Sequence, residues 1–410
     1  MRTLAAILVT LSLLDINVQA QAAQSDLKSL YESHHWFALR KAVAHDPTSP
    51  FYKAAVETAF HQDHAAEVDL SNYIASHPTS DMLLDARELL LGIDFRNARY
   101  QDALVQAQQI LSLKPDARDI ANFLPTLKVL APFVRQTVNF SHVSTVRCKL
   151  LDQNLVLPVK IGGSTANYIL DNGFSLSGMS ESEAKRLNLS VHTVTTQIDT
   201  MNGTHVSIRI AVVPDLLLGA VHLKNVAFYI VPDSQPPFNQ LASGHRGILG
   251  IQVVLALGHF AWQPASGLFN IFPSLAAQPA ADANLAFDGT SIFTQLMFRG
   301  QTVNVNLDSG AQNTVLYPSF AKRFPEIRNQ STIEEHRVTG VGGSSSIRSL
   351  VLSSLEFRLG GHDVSLKPAT VLLENNNSTS DWFEGNLGMN LLNQGNIVDV
   401  DFGSMTLVLK

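Results

Sequence analysis

Residues 168–175 read "YILDNGFS", and residues 305–312 read "VNLDSGAQ". Each stretch is a short apolar run, typical of a strand, that stops on Leu-Asp and continues with a small polar residue and a glycine. An isolated Asp before a small residue and Gly is most often a turn residue. The same setting twice in one chain favours another interpretation, in which Asp171 and Asp308 form a functional pair.

The two stretches are part of an internal repeat with an offset of 137 residues. Besides the two Asp stretches, the matched pairs are "AKRL" (184–187) with "AKRF" (321–324), "RGILGIQVV" (246–254) with "GNLGMNLL" (385–392), and the glycine turns "TMNGTH" (200–205) with "TGVGGSS" (339–345). Four features in the same order predict two homologous lobes. The Ala/Pro-rich segment 274–284 suits a linker between them.

Three regions of the chain differ in composition and in hydrophobic periodicity. Val, Ile, Thr and Phe rise from about residue 140, with the alternation typical of strands, and Gly162-Gly163 predicts a tight hairpin turn. The preceding region carries apolar residues at helical spacing. The sequence therefore predicts a helical domain at 24–135, a first β lobe at 140–275 and a second β lobe at 284–410.

Turn signals in the helical region recur at a roughly constant interval. Pro47, Pro78 and Pro115 lie 31 and 37 residues apart, which brackets the period of about 34 residues of tetratricopeptide-type helical hairpins. Ala103 and Ala107 stand where such hairpins need small residues. A plain helical bundle that acts as a spacer is the open alternative. In either case the region is expected to act as a scaffold or to face a protein partner, without chemistry of its own.

On these residues, each β lobe resembles the retroviral-type and pepsin-type aspartic peptidases, and especially the bacterial retropepsin-like domains. The residues that carry the resemblance are Leu170-Asp171-Asn172-Gly173 with Ile248-Leu249-Gly250, and Leu307-Asp308-Ser309-Gly310-Ala311 with the less perfect Asn386-Leu387-Gly388. The resemblance covers residues 140–410, and it implies a bilobal aspartic-protease β-barrel fold. The whole chain is thus expected to be a multidomain α plus all-β protein, with helical-hairpin repeats before the two lobes.

The resemblance also implies a catalytic pair. Asp171 and Asp308 would come together from the two lobes, share one proton and activate a water molecule. Because both acids are in one chain, catalysis would not require a homodimer, and neither a metal nor a cofactor is expected. His61 and His64 without a third ligand are too few to indicate a metal site.

Several neighbours of the pair receive roles from the same resemblance. Gly173 and Gly310 would let the backbone approach the carboxylates closely. In the family, a hydroxyl after the Asp locks the two loops together. Ser309 offers that hydroxyl, whereas Asn172 offers an amide, and Phe174 is larger than the usual Ala or Ser. The turns at Asn202-Gly203 and Gly342-Gly343 are the candidate flaps over a substrate cleft.

These features predict an aspartic endopeptidase that acts on a peptide or protein substrate. Two alternatives stay open. One is a catalytically impaired peptide-binding protein on the same scaffold, in which Asn172 and Phe174 have spoiled the pair. The other is a scaffold protein whose helical repeats carry the main function.

Composition and the N-terminus indicate an exported globular protein. Hydrophobic residues make up 45% and charged residues 16%, which is typical of a packed protein, and the net charge of −6 argues against a nucleic-acid partner. Arg2, the apolar residues 4–14 and the small residues after them predict a signal peptide at 1–22, hence a periplasmic or secreted protein. An uncleaved N-terminal anchor is the alternative. The single cysteine, Cys148, excludes an intrachain disulfide.

Overall fold

The computed structural model describes residues 26–45, 49–199, 205–273, 278–340, 343–374 and 382–410. The signal-peptide prediction at 1–22 lies outside these residues, as does the start of the predicted linker, 274–277. A helical domain comes first. Its helices are α1 (26–32), α2 (Trp36–His45), α3 (Pro50–Ala59), α4 (Asp63–Ser76), α5 (Leu83–Arg96), α6 (Tyr100–Leu113) and α7 (Arg118–Leu130). In the described residues, no helix is long and apolar enough to cross a membrane.

From α2 onward, each helix of this domain packs against the next one along the chain. Several alanines are buried in these helices, and their small side chains let neighbouring helix axes approach closely. The alanines that are almost fully buried are Ala54, Ala55, Ala59, Ala66, Ala86, Ala103 and Ala107. The structure therefore confirms that this region is helical. The tetratricopeptide-like repeat stays a prediction.

The first lobe is a strongly paired β structure with two short helices. Its strands are β1 (Thr137–Asn139), β2 (Ser144–Arg147), β3 (Lys149–Leu151), β4 (Asn154–Ile161), β5 (Ser164–Leu170), β6 (Ser177–Ser180), β7 (Val191–Asp199), β8 (His205–Leu218), β9 (Val221–Val231), β10 (Gly247–Leu249), β11 (His259–Gln263) and β12 (Leu268–Phe272). The helices are α8 (Glu181–Arg186) and α9 (Ile251–Leu257). The main sheet has the order β1-β9-β6-β10-β5-β4-β8-β7, and β3 pairs with β4.

The second lobe repeats this arrangement. Its strands are β13 (Leu285–Asp288), β14 (Ser291–Phe298), β15 (Gln301–Leu307), β16 (Val315–Leu316), β17 (Thr332–Gly340), β18 (Gly343–Leu352), β19 (Leu355–Leu359), β20 (His362–Leu366), β21 (Ala369–Leu372), β22 (Gly385–Leu387), β23 (Val398–Asp401) and β24 (Thr406–Leu409). The helices are α10 (Pro318–Arg323) and α11 (Met389–Leu392). The main sheet has the order β17-β18-β21-β16-β22-β15-β14-β19-β20, and β13 pairs with β14.

The centres of the two sheets are equivalent strand by strand. In lobe 1, β10 lies between β5, to which it is parallel, and β6, to which it is antiparallel. In lobe 2, β22 lies between β15 and β16 with the same two orientations. The sequence repeat is therefore a structural repeat. It brings the ends of β5 and β15, where the two Asp residues follow, to equivalent positions in the two lobes.

One feature of the β region was predicted from the sequence, and another was not. The hairpin between β4 and β5 turns at Gly162 and Gly163, whose φ angles of 54° and 83° suit glycine, so that prediction is confirmed. The sequence did not predict that strands of both lobes form one further sheet. This shared sheet has the order β2-β12-β11-β23-β24, with β11 of lobe 1 antiparallel to β23 of lobe 2.

The helical domain packs on lobe 1 around the buried side chain of Gln252. The Tyr100 hydroxyl donates to Oε1 of Gln252 at 2.7 Å, and Nε2 of Gln252 donates to the Phe95 carbonyl at 2.5 Å. Nε2 of Gln136 donates to the backbone carbonyl of Gln252 at 2.9 Å. Gln252 belongs to α9 and is buried. These bonds fix the end of α5 and the start of α6 against α9.

The same domain also contacts lobe 2. The buried Arg96 guanidinium pairs with Asp63 and lies over the Phe287 ring, 4.7 Å from its centroid. His61, which is partly buried, contacts the Phe402 carbonyl through Nδ1 at 2.9 Å. Because burial outweighs the nearby Asp63, the pKa of His61 is lowered. The helical domain therefore packs on both lobes.

Candidate active site

The two Asp loops begin where a parallel strand pair ends. The backbone N–H of Asp171 donates to the Leu249 carbonyl of β10 at 3.0 Å, and the N–H of Asp308 donates to the Leu387 carbonyl of β22 at 3.0 Å. Each Asp is thus held by the neighbouring strand at the point where its own strand ends. The pseudo-symmetry of the lobes then directs both loops to one place between them.

Asn172 and Ser309 tie the two loops together with four hydrogen bonds. The Ser309 hydroxyl accepts from the Asn172 N–H and donates to the Leu170 carbonyl, both at 3.0 Å. Oδ1 of Asn172 accepts from the Ser309 N–H at 2.7 Å, and its Nδ2 donates to the Leu307 carbonyl at 2.5 Å. The amide therefore makes the same pair of contacts, one accepted and one donated, that the hydroxyl makes from the other lobe.

Gly173 and Gly310 lie against the carboxylates. A Cβ atom at residue 310 would be 2.2 Å from Cγ and Oδ2 of Asp171, well inside the closest approach of real atoms. A Cβ atom at residue 173 would be 2.8 Å from Oδ1 of Asp308 and 3.1 Å from Oδ1 of Asp171. Both carboxylates thus reach the same small space, and only glycine fits beside them there.

The hydrogen bonds to the two carboxylates differ. Oδ1 of Asp171 accepts from the Gly173 N–H at 2.9 Å. Oδ1 of Asp308 accepts from the N–H groups of Gly310 and Ala311 at 3.0 and 3.1 Å, and its Oδ2 accepts from Nδ2 of Asn386 at 2.8 Å. Burial, and next the charge of Asp308, raise the pKa of Asp171 well above its usual range. Asp171 therefore keeps its proton to a higher pH than an exposed aspartic acid does.

A second glycine in each lobe supports the Asp loop from behind. The Gly250 N–H donates to the Ser177 hydroxyl at 3.1 Å, and the Gly388 N–H donates to the Thr314 hydroxyl at 3.0 Å. A Cβ at residue 250 would lie 2.0 Å from the Leu176 carbonyl oxygen, and one at residue 388 would lie 2.6 Å from the backbone of residue 313. In each lobe, the glycine of the matched motif thus packs closely against the backbone that follows the Asp.

Comparison with known proteins agrees with this geometry. A family model described as aspartyl protease matches the chain twice, over residues 157–253 and 294–391. Each match lies within one lobe and includes the Asp of that lobe and its second glycine, Gly250 or Gly388. The two lobes are thus each similar to the aspartyl protease family. Among the curated proteins, none matches the chain.

Solved structures also match. One of them is the crystal structure of a retropepsin-like aspartic protease from Rickettsia conorii. It is 14% identical to the chain, with a TM-score of 0.24, and the match covers 34% of this chain and 96% of that one.

Phe174, which is larger than the Ala or Ser expected from the resemblance, has its ring against Tyr229 and Gly178 of lobe 1. Its ring packs edge-on against Tyr229, with centroids 6.3 Å apart, and lies over Gly178. A Cβ at residue 178 would be 2.8 Å from the Phe174 ring. The equivalent residues of lobe 2 are Ala311 and Val315. The large and small members of the pair are therefore exchanged between the lobes, and the large ring is accommodated within lobe 1.

The structure describes the predicted flaps only in part. Asn202, Gly203 and Gly342 lie outside the described residues. Gly343 begins β18 and pairs with Gly340 at the end of the β17–β18 hairpin. The long hairpin β7–β8 is the equivalent element of lobe 1. A role for these hairpins in covering a substrate stays a prediction.

Sequence reasoning missed three kinds of contributor to the candidate site. The hydroxyls of Ser177 and Thr314 accept the N–H groups of Gly250 and Gly388. These two residues are separated by the repeat offset, so the repeat itself could have identified them. Gly178 could have been found as the partner of Phe174 only with the fold in hand. Asn386 was noticed merely as an imperfect motif residue, yet it contacts the Asp308 carboxylate directly.

A large cavity extends from the Asp171 loop to the helical domain. Its volume is about 1090 Å³. Ser175 and Tyr229 of lobe 1 line it, together with the turn 288–291 of lobe 2 and residues of α5, α7 and the segment before α7. The helical domain therefore forms one wall of a space that begins four residues after Asp171. Four of the six charged side chains in its lining are acidic, namely Glu88, Asp116, Asp119 and Asp288, against Lys114 and Arg118.

Proposed function

We propose that the chain is an aspartic endopeptidase that hydrolyses peptide bonds with a water molecule activated by Asp171 and Asp308. The observation that carries this proposal is the reciprocal locking of the two Asp loops by Asn172 and Ser309. It holds two carboxylates from different lobes at one small space. Nothing in the packing of either lobe needs an acid there, and burial of two acids costs free energy unless they share a proton.

The chemistry follows from that shared proton. The ionised carboxylate takes a proton from the water molecule while the water oxygen attacks the carbonyl carbon of the peptide bond. At the same time, the protonated carboxyl donates its proton to the carbonyl oxygen. The resulting gem-diol collapses when the carboxyl that took the proton from water donates it to the leaving nitrogen, the other carboxylate takes a proton from a gem-diol hydroxyl, and the C–N bond breaks. Each carboxyl thus gains and loses one proton over the two steps, so the pair returns to its starting state.

The two residues that suggested an impaired site support the proposal instead. Asn172 supplies one donor and one acceptor across the lobes, as Ser309 does. The Phe174 ring packs on Tyr229 and Gly178 inside lobe 1. Neither residue blocks the space beside the carboxylates, so a peptide-binding protein without activity is the weaker interpretation.

We propose in addition that the helical domain holds part of the substrate. The support is the cavity of about 1090 Å³, which has one wall on α5 and α7 and another at Ser175. A peptide that leaves the Asp171 loop in this direction would contact the helical domain several residues from the bond that is cut. The excess of acidic side chains favours a substrate with basic residues in that part.

The peptidase proposal is tested by digestion of a peptide library at pH 3 to 8. We expect cleavage by the wild-type protein and a loss of at least about a thousandfold in Asp171→Asn and Asp308→Asn. The matched control is Asp363→Asn, which removes an exposed Asp far from the site. If the wild type cleaves nothing, or if either dyad variant cleaves as well as the control, the proposed activity is wrong.

The cavity is tested separately with short and long peptides that share one cleavage site. In Asp119→Lys, KM should rise for a long peptide with basic distal residues and stay unchanged for the short one. Asp81→Lys makes the same change at an exposed position of the helical domain outside the cavity lining. Equal effects of the two variants on the long peptide would contradict the proposed role of the cavity.

We also propose that the protein is exported, with cleavage near residue 22. The support is the apolar segment 4–14 and the small residues that follow it. N-terminal sequencing of the protein from the extracytoplasmic fraction of its native cells should begin after Ala20 or Ala22. An intact Met1 on the protein in those cells would contradict this.

A further inference from the structure

One strand pair breaks the symmetry of the two lobes beside the carboxylates. In lobe 1, Ile169 of β5 pairs with Ile248 of β10. The equivalent pair in lobe 2 is Asn306 of β15 with Asn386 of β22. The two isoleucines are buried, at 8% and 1% exposure, and cannot donate a hydrogen bond. Both members of the pair are thus apolar in lobe 1 and amides in lobe 2, at the position directly before Leu-Asp and Leu-Gly.

The two amides form a chain that ends on Asp308. Nδ2 of Asn306 donates to Oδ1 of Asn386 at 2.7 Å. With its oxygen engaged in this way, Asn386 turns its Nδ2 to Oδ2 of Asp308 at 2.8 Å. A donor that faces a carboxyl oxygen stabilises the ionised form more than the neutral acid. Asn306 therefore orients Asn386 as a donor to an ionised Asp308.

The two carboxyl groups consequently have unequal surroundings. Asp308 accepts from two backbone N–H groups on Oδ1 and from Asn386 on Oδ2. Within the part of the chain that the structure describes, Asp171 accepts from the backbone of its own loop, at Gly173 and Phe174, and from no side chain. The extra donor to Asp308 favours the state in which the shared proton is on Asp171.

We propose that Asn386, oriented by Asn306, places the proton of the dyad on Asp171 and leaves Asp308 as the ionised carboxylate. Asp308 then takes the proton from the attacking water, and Asp171 donates to the carbonyl oxygen. These chemical roles rest on the proposed function, but the position of the proton is a property of the protein without substrate. Asn386 acts through Asp308 and is a positioning residue.

The other titratable groups around Asp308 are compatible with this assignment. Asp171 faces it from lobe 1, and Tyr317, which follows β16, faces it from lobe 2. Burial, and next the charge of Asp308, raise the pKa of Tyr317 to about 12, so this phenol stays neutral over the working range. Asp171 is therefore the partner with which Asp308 exchanges a proton.

The order of ionisation can be measured without any peptidase activity. The protein is labelled with ¹³C at the aspartate carboxyl carbon, and the signals of Asp171 and Asp308 are assigned with the two Asp→Asn variants. In a titration of the wild type from pH 3 to 9, we expect the Asp308 signal to ionise first, at least about one pH unit before Asp171. If Asp171 ionises first, or both signals move together, the proposal is overturned.

The double variant Asn306→Ile/Asn386→Ile recreates the strand pair that lobe 1 already contains. We expect the first ionisation of the dyad to move up by about one pH unit, a tenfold loss of acidity, and the two signals to titrate together. The control is Asn304→Ile, on the same strand and without a contact to Asp308. An unchanged order in the double variant would overturn the proposal. If the double variant does not fold, the wild-type titration still decides.

Kinetics distinguish this role from a contribution to substrate binding. In the double variant, the acidic limb of the kcat/KM profile should move up with the first ionisation, by about one pH unit. A change confined to KM, with the limb in place, would mean that the two amides merely line a subsite, and the proposal would be wrong. A wild type that titrates as expected but cleaves no peptide would overturn the proposed function and leave the proton assignment standing.

Discussion

The Asn172 side chain and the Ser309 hydroxyl hold each other's loops across the two lobes, each by one accepted and one donated hydrogen bond. The relationship joins residues that are 137 apart in the sequence. A serine reaches the facing backbone with a short side chain and one atom that both accepts and donates. An asparagine divides these tasks between Oδ1 and Nδ2. Two different side chains therefore perform the same mechanical role at equivalent positions.

The first prediction removes this lock. Asn172→Ala should lower the free energy of unfolding by about 2–4 kcal/mol, because the Ser309 N–H and the Leu307 carbonyl lose their partner at a buried position. It should also lower kcat/KM, since the two carboxylates are no longer held together. Urea unfolding and peptide kinetics measure the two effects.

Asn172→Ser is the matched control for that change, because it places in lobe 1 the residue that lobe 2 uses. It should retain most of the stability and activity that Asn172→Ala loses. Equal losses in the two variants would show that the contacts of Asn172 with lobe 2 have no part in holding the loops.

The second prediction concerns the glycine beside Asp171. In Gly310→Ala, the new methyl group would overlap the Asp171 carboxyl, 2.2 Å from Cγ, and would force it to move. Because a displacement of about 1 Å in a reacting group costs on the order of a hundredfold, kcat should fall by at least that factor. The change is measured as kcat on a saturating peptide substrate.

Gly92→Ala is the control for the loss of a glycine. It lies in α5, where a Cβ would make an ordinary contact at 3.6 Å, and alanine favours the helix. Because Gly92 also lines the cavity beside the helical domain, the comparison uses a short peptide that does not reach this cavity, and on that peptide the kcat of Gly92→Ala should equal that of the wild type. A Gly310→Ala protein with wild-type kcat would mean that the carboxylate does not occupy the space next to this glycine.

The third prediction tests the exchange of large and small residues between the lobes. Gly178→Val alone should be destabilising by about 1–3 kcal/mol, since its Cβ would lie 2.8 Å from the Phe174 ring. Phe174→Ala/Gly178→Val reproduces the Ala311 and Val315 pair of lobe 2 and should recover much of that loss. Thermal or urea unfolding of the two single variants and the double variant completes the cycle. Additive effects would contradict the proposed packing.

The parts of this protein that could be predicted from the sequence are those that local patterns record. The two Asp-Gly loops, the repeat offset and the change from helical to strand periodicity are short-range signals that survive without a fold. The lobes, the helical region and the meeting of Asp171 with Asp308 were therefore accessible. The hairpin at Gly162 was accessible for the same reason, because positive φ angles select glycine.

The remaining features depend on distances that only the fold sets. Whether the longer amide of Asn172 reaches the opposite loop depends on the gap between the loops, which no spacing in the sequence reports. The role of Asn386 depends on its pairing with Asn306, 80 residues away. The shared sheet and the seating of Gln252 on the helical domain are likewise contacts between distant segments. Such contacts leave a signal in one sequence only after the fold identifies the partners.

The last prediction concerns stability against pH. Burial and the charge of Asp308 raise the pKa of Asp171 in the folded protein above its value of about 4 in the unfolded chain. From about pH 4 up to the raised pKa, the folded dyad therefore keeps a proton that the unfolded chain releases. The free energy of unfolding must then fall as pH rises through this window, by up to about 1.4 kcal/mol per pH unit from this site. Below the window the contribution is fully present.

Urea unfolding of the wild type and of Asp171→Asn at pH 4, 5, 6 and 7 isolates this contribution, because the amide cannot titrate. The difference between the two curves should decrease steadily with rising pH. Asp363→Asn, which alters an exposed ion pair with Arg358, should instead run parallel to the wild type. A wild type that runs parallel to Asp171→Asn would mean that the carboxyl group of Asp171 loses its proton as readily in the folded protein as in the unfolded chain, and that the dyad shares no proton.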